Sequence, residues 1–462
     1  LPILRVFAGP GRYLVWVIVL AQVVWAALGH GGGRRVAAAL HVLPASRAFL
    51  IVFSATALVL VGASRGLAPS GALPGGDEPH YLVVTQSLVN DGDLNVENNY
   101  RLRSYSAYYA KQLDIRAATT GSAALPIGLP LILMPAFWIA GYTGAVLWLS
   151  VLAALSAAVV WMWARHVTDS VSAATFAWAV TALSVPVVVG SVTVSPDVPA
   201  ALLLVLAGAC ALWNAPLPAA GGPGGAPVMG SWRAVLLGLA AGALPWFHAA
   251  YLPAAGVIGG IGVWRCWQTT RTAGGRVLAV RIGLIAAPCA ASVAAWLTFN
   301  FATTGSPWLS PAYLGGPAPF PGLKLAGRHA LALLVDQEYG AMSYAPAFAI
   351  AVVGLWALWR QRGHARAFAI ESSLLLAAII GSAAVVDAWR GGASRPGEFA
   401  LPALLMAAVP LAYEYRRAAQ HPERRAIYRL LLLMGLGASV ATLTVGGGGL
   451  MASGRDGVSN LI

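Results

Sequence analysis

Two adjacent carboxylates, Asp77 and Glu78, follow Gly75-Gly76 and precede Pro79 and His80. A carboxylate beside a yielding backbone can act as a general base, taking a hydroxyl proton while a leaving group departs. The same aspartate can instead cap a helix that has Pro79 in its first turn. Asp91 and Asp93 have the spacing of a metal-binding pair, which would bring in a divalent cation. Asn90-Asp91-Gly92-Asp93 is equally ordinary turn chemistry. Tyr100, Tyr105, Tyr108 and Tyr109, with Lys111 and Arg116, can line a sugar site or form an interfacial aromatic belt. The three cysteines, Cys210, Cys266 and Cys289, lie in or beside apolar runs and read as small packing residues.

The elements that must position these groups belong to a membrane. Of 462 residues, 58% are hydrophobic and only 10% charged, against about 25% charged in an ordinary soluble domain. Apolar runs of about twenty residues recur throughout, the length that crosses a hydrocarbon layer of about 30 Å. A net charge of +13 invites a nucleic-acid partner. The arginines, however, sit at the ends of apolar runs, where the positive-inside rule places them. No nucleic acid is expected.

The runs predict an all-α polytopic bundle of about 12 spans. They are approximately 12–29, 48–64, 144–164, 171–190, 198–213, 234–250, 251–267, 282–301, 341–359, 368–387, 398–413 and 428–447. Ala123–Ala140 carries Pro126, Pro130 and Pro135, which disfavour a regular helix. Charge alternation works if this stretch dips in without crossing. Twelve of the sixteen acidic residues then fall at or near the outer face. The expected organisation is N-terminal helices over 1–64 and an extracytoplasmic loop with the catalytic motif and a re-entrant or interfacial segment over 65–143. Helices follow over 144–301, a second outer loop over 302–340, and C-terminal helices over 341–462. The loop 216–230, rich in Gly, Pro and Ala, reads as a linker. The chain begins at Leu1, so an earlier stretch is expected to precede it.

The order of motifs resembles the GT-C superfamily, membrane glycosyltransferases that use polyprenyl-phosphate-linked sugars and include protein O-mannosyltransferases and aminoarabinose transferases. The motifs are Asp77-Glu78, Gly92-Asp93-Leu94-Asn95, Gly128-Leu129-Pro130, Ser195-Pro196-Asp197, and Asn300 with Gly305-Ser306-Pro307 and Tyr313. Glu338-Tyr339-Gly340 with Tyr344-Ala345-Pro346, and Trp389-Arg390-Gly391-Gly392 with Arg395 and Pro402, complete them. The resemblance runs from about Gly75 to Pro402. It departs at Ser122–Ile127, where many bacterial relatives carry a Ser-x-His run.

The resemblance implies a GT-C-like fold and transfer of a sugar, with inversion, from a polyprenyl-phosphate donor to an extracytoplasmic acceptor at a bacterial inner membrane. Asp77 would be the base and Glu78 would hold the site. Arg390 and Arg395, then Lys111 and Arg116, would face the phosphate, since arginine offers it a forked donor. The alternative for these cations is a snorkelling anchor. His80 and Tyr339 would support substrate binding, while His248 reads as an interfacial histidine. Asp77 is expected within about 10 Å of Arg390 or Arg395, because base and phosphate clamp flank one reacting carbon. A second reading is a catalytically silent GT-C-like subunit of a larger membrane complex. A transporter would place ionisable groups at mid-membrane and show repeats, and neither is evident here.

Overall fold

The computed structural model describes residues 40, 42–67, 76–113, 125–213, 229–270, 274–307, 322–385 and 395–444. The described residues are helical, without strands. In chain order the helices are α1 (Ala45–Leu67), α2 (Glu78–Asn90), α3 (Glu97–Arg101), α4 (Gly128–Thr168), α5 (Val171–Ala182) and α6 (Val185–Ser191). Then come α7 (Asp197–Leu212), α8 (Ser231–Phe247), α9 (Leu252–Thr270), α10 (Gly275–Thr304), α11 (Gly322–Val335) and α12 (Ala341–Tyr344). The last are α13 (Ala349–Trp359), α14 (His364–Ala384), α15 (Leu401–Met406), α16 (Ala408–Arg417) and α17 (Pro422–Thr444).

Five described helices are long and apolar enough to cross a membrane, and six if the bent pair α5–α6 counts as one span. This is an integral membrane protein. Large side chains such as Leu58, Trp138 and Ile139 lie on its outside, where lipid is a suitable neighbour. The expected run 12–29 lies outside the described residues. Several other expected spans are shorter or broken helices. Pro186 enters the bent pair just after its 60° break, consistent with proline's inability to continue the backbone ladder.

Of the proline-rich stretch Ala123–Ala140, the part from Gly128 on, with Pro130 and Pro135, is the first part of α4 and is helical. Helical geometry then fails at Ala140 and Gly141, where Gly141 has φ 58°. A Cβ on Gly144 would strike the Ala136 carbonyl. Residues eight apart on a straight helix would be about 12 Å apart, so the chain reverses sharply at this point.

Close packing relies on small residues. α8 lies along α10, and a Cβ on Gly242 would come within 2.9 Å of the Cys289 backbone. Trp161 and Trp163 of α4 are fully buried. One ion pair is enclosed among the helices: Arg265 of α9 donates through Nε to both oxygens of Glu371 on α14, at 2.9 and 3.1 Å. Its Nη2 also bonds one of those oxygens, at 2.5 Å.

Candidate functional site

α2 starts beside the core because its first turn is an anchor rather than a solvated end. Gly76 takes φ 59° and the helix follows at Glu78. Asp77 occupies the cap position, but its side chain makes no capping hydrogen bond, and it is exposed. Its carbonyl accepts the Tyr81 N–H at 3.1 Å. Glu78 turns inward and is only 4% exposed. One of its oxygens pairs with Arg395 Nη2, and the other accepts the Val194 N–H at 3.1 Å.

Arg395 is delivered by a tight turn. Its N–H donates to Glu398 Oε2 at 3.0 Å, while the Glu398 N–H returns to the Arg395 carbonyl at 3.1 Å. Gly397 holds φ 70° within that turn, and its N–H donates to the Tyr339 carbonyl at 2.9 Å. A Cβ there would meet Pro186 Cγ at 2.5 Å, so glycine is needed for conformation and for space. Tyr339 is itself buried, its N–H held by Asp336 Oδ1 at 3.0 Å.

A third carboxylate closes the cluster. Asp197 opens α7 and accepts hydrogen bonds from the Ser195 hydroxyl at 2.7 Å and from the Tyr251 hydroxyl. Burial, reinforced by nearby Asp197, pushes the Glu398 carboxyl up to about 7 against the opposing pull of Arg395. Tyr142, just past the α4 reversal, lies within electrostatic reach of Glu78 and Arg395. Glu78 and Glu398 thus face one guanidinium, with Asp197 within electrostatic reach of Glu398.

The other expected site residues are scattered. His80 Nδ1 and the Tyr100 hydroxyl are 2.6 Å apart, so His80 supports the loop core formed with Tyr105 and Val96. Burial pushes the Tyr100 phenol well up. Lys111 is exposed. Arg116 and Arg390 lie outside the described residues. Asp91 Oδ2 accepts the side-chain amides of Asn98 and Asn99 at 3.1 and 3.0 Å. Asp93 Oδ1 accepts the Ser87 hydroxyl and the Asn95 N–H, both at 3.0 Å. Both aspartates therefore organise the turn after α2. Among the described residues, no group of three or more His, Cys, Asp or Glu side chains could hold a metal ion.

Glu398, Tyr251 and the Val194 N–H escaped the reading of the sequence. Glu398, three residues beyond Arg395 in a turn bounded by Gly397, carried the best available signal.

No family model matches the chain, and no curated protein sequence matches it. Solved structures that resemble it include two of ArnT. ArnT from Cupriavidus metallidurans in the apo state shares 16% identity, covering 83% of this chain and 62% of ArnT, with a TM-score of 0.49. ArnT from the same organism bound to undecaprenyl phosphate shares 14% identity, covering 86% of this chain and 76% of that one, with a TM-score of 0.54. The chain thus spans about 62% of the length of the first. By the second likeness, the all-helical membrane fold resembles that of ArnT.

Proposed function

We propose that the protein is an inverting glycosyltransferase that moves a sugar from a polyprenyl-phosphate donor to an acceptor hydroxyl at the outer face of a bacterial inner membrane. One observation carries this reading: Glu78, next to the candidate base, pairs with Arg395 from the far end of the chain. The likeness to a structure whose ligand is undecaprenyl phosphate supports it.

In the proposed reaction the acceptor oxygen attacks the sugar's C1 from the face opposite the phosphate. The new C–O bond forms as the C1–O bond to phosphate breaks, and polyprenyl phosphate departs with the bonding pair. Asp77, exposed and without a capping bond, receives the hydroxyl proton. Glu78 fixes Arg395 at the site, and a guanidinium with five N–H groups can meet both a carboxylate and a phosphate. Lys111, Arg116 and Arg390 are further candidates for the phosphate, Tyr339 for the substrate, and His80 for holding the loop behind Asp77.

Purified protein given labelled polyprenyl-phosphate sugars tests this reading. Asp77→Asn should lower transfer roughly a hundredfold, as loss of a general base does, while thermal stability holds because no capping bond is lost. Full activity in Asp77→Asn would reject the mechanism. An inactive wild type, tried with every donor, would favour the silent-subunit reading.

A further inference from the structure

The helices that leave the Glu78 cluster carry a second polar construction at their far end. α15 and α16 start at Leu401, beside Glu398, and run to Arg417, roughly 25 Å at helical rise. There Tyr415 of α16 stacks on Phe176 of α5, with ring centroids 3.9 Å apart and planes at 10°. Two arginines of α17 converge on this tyrosine. The Arg425 guanidinium lies 4.9 Å from the ring centroid, and Arg429 Nε donates to the hydroxyl at 3.2 Å.

Two like charges held on one neutral ring repel each other, and the acids at this corner are engaged elsewhere. Glu414 is buried and accepts from Arg417 Nη1 at 2.8 Å and from the Tyr428 hydroxyl at 2.9 Å. Glu423 stands 3.5 Å from His421. Arg425 Nε is shielded from solvent and has no hydrogen-bond partner among the described residues. Burying such a donor without an acceptor is unfavourable. With Arg416, Arg417 and Arg424, the corner carries five arginines against two glutamates.

Its place on the helix points to the class of anion that the Arg425 donor would meet. Pro422–Leu443 is one of the membrane-length helices, so Arg425 and Arg429 stand in its first two turns, about 5–10 Å along it. The apolar run read over 428–447 begins between them, so both stand at the entry to the span, where long cationic side chains reach lipid phosphates. A guanidinium fork suits a phosphodiester, and the aromatic pair holds one fork in place before the anion arrives.

We propose that Arg425 and Arg429, seated on Tyr415, form a binding site for the headgroup phosphate of an anionic glycerophospholipid. The site is separate from the Glu78 cluster and does not depend on the function proposed for that cluster.

Thermal unfolding of the full chain in neutral detergent tests it, with phosphatidylglycerol, phosphatidylcholine or inorganic phosphate added. Saturating phosphatidylglycerol should raise the wild-type midpoint by about 2 °C or more, and phosphatidylcholine by less. Arg425→Gln/Arg429→Gln should lose that increment, whereas Arg360→Gln/Arg362→Gln should keep it. Arg425→Lys/Arg429→Lys preserves the charge but not the fork, so its increment should be intermediate. It also serves if the glutamine variant fails to fold. An increment equal in wild type and in both variants at 425 and 429, or none in wild type, would overturn the site. Inorganic phosphate matching the lipid would overturn the assignment to a membrane headgroup.

Discussion

Charge at the candidate site should respond asymmetrically to the loss of its two paired partners. The Glu78 and Arg395 side chains are 5% and 13% exposed, so solvent can rescue neither. Arg395→Met leaves Glu78 buried near Glu398 with no guanidinium between them. Stranding a buried charge in this way is worth about 3–5 kcal/mol. Glu78→Gln should be milder. An amide oxygen still accepts the Val194 N–H, and Glu398, near 7 and so largely ionised at pH 8, still faces Arg395. About 1–2 kcal/mol is expected for that loss of one buried charged bond. The double variant removes both charges and should fall short of the sum by about 2 kcal/mol, the signature of direct coupling. Thermal unfolding in detergent at pH 8 reads these as midpoint losses of roughly 3–8 °C for Arg395→Met and 1–3 °C for Glu78→Gln. At pH 5.5 the Arg395→Met loss should shrink, because protons can then neutralise the acids it leaves uncompensated. Strictly additive losses, or a larger loss in Glu78→Gln than in Arg395→Met, would refute the reasoning.

Glu398 gives a pH signature of its own. Its carboxyl sits near 7 instead of 4.5, so the stabilisation it lends is complete below about pH 4.5 and lost as pH rises through 7. The gap is worth at most about 3 kcal/mol, and Glu398→Gln should flatten the stability profile between pH 5 and 8. Gly397→Ala should destabilise by about 1–3 kcal/mol, since Gly397 sits at φ 70° against Pro186, and transfer should fall with it as Arg395 shifts. A midpoint unchanged from wild type would count against that turn. In the enclosed pair, Glu371→Leu strands Arg265 and should lose about 3–5 kcal/mol. Arg265→Met/Glu371→Leu should recover most of it, and a double variant no better than the single would mean the pair is not a unit.

The membrane class was legible in composition and apolar run length alone, because the bilayer sets its demand on length residue by residue. Asp77-Glu78 also stood out as a polar point, from two acids and two glycines in an apolar chain. Which of the two acids is buried was not, because that depends on the direction in which the first turn of α2 faces its neighbours. Asp91 and Asp93 admitted a metal or a turn on spacing alone, and the positions of Ser87, Asn98 and Asn99 show the aspartates organising a turn. Glu398, Tyr251 and the Val194 N–H lie in segments whose local patterns carry no sign of one another. Only tertiary packing brings α2, the start of α7 and the turn before α15 to one point. The reason is physical: hydropathy and turn chemistry act over a few residues, whereas a charge cluster depends on distances through space between residues far apart in the chain.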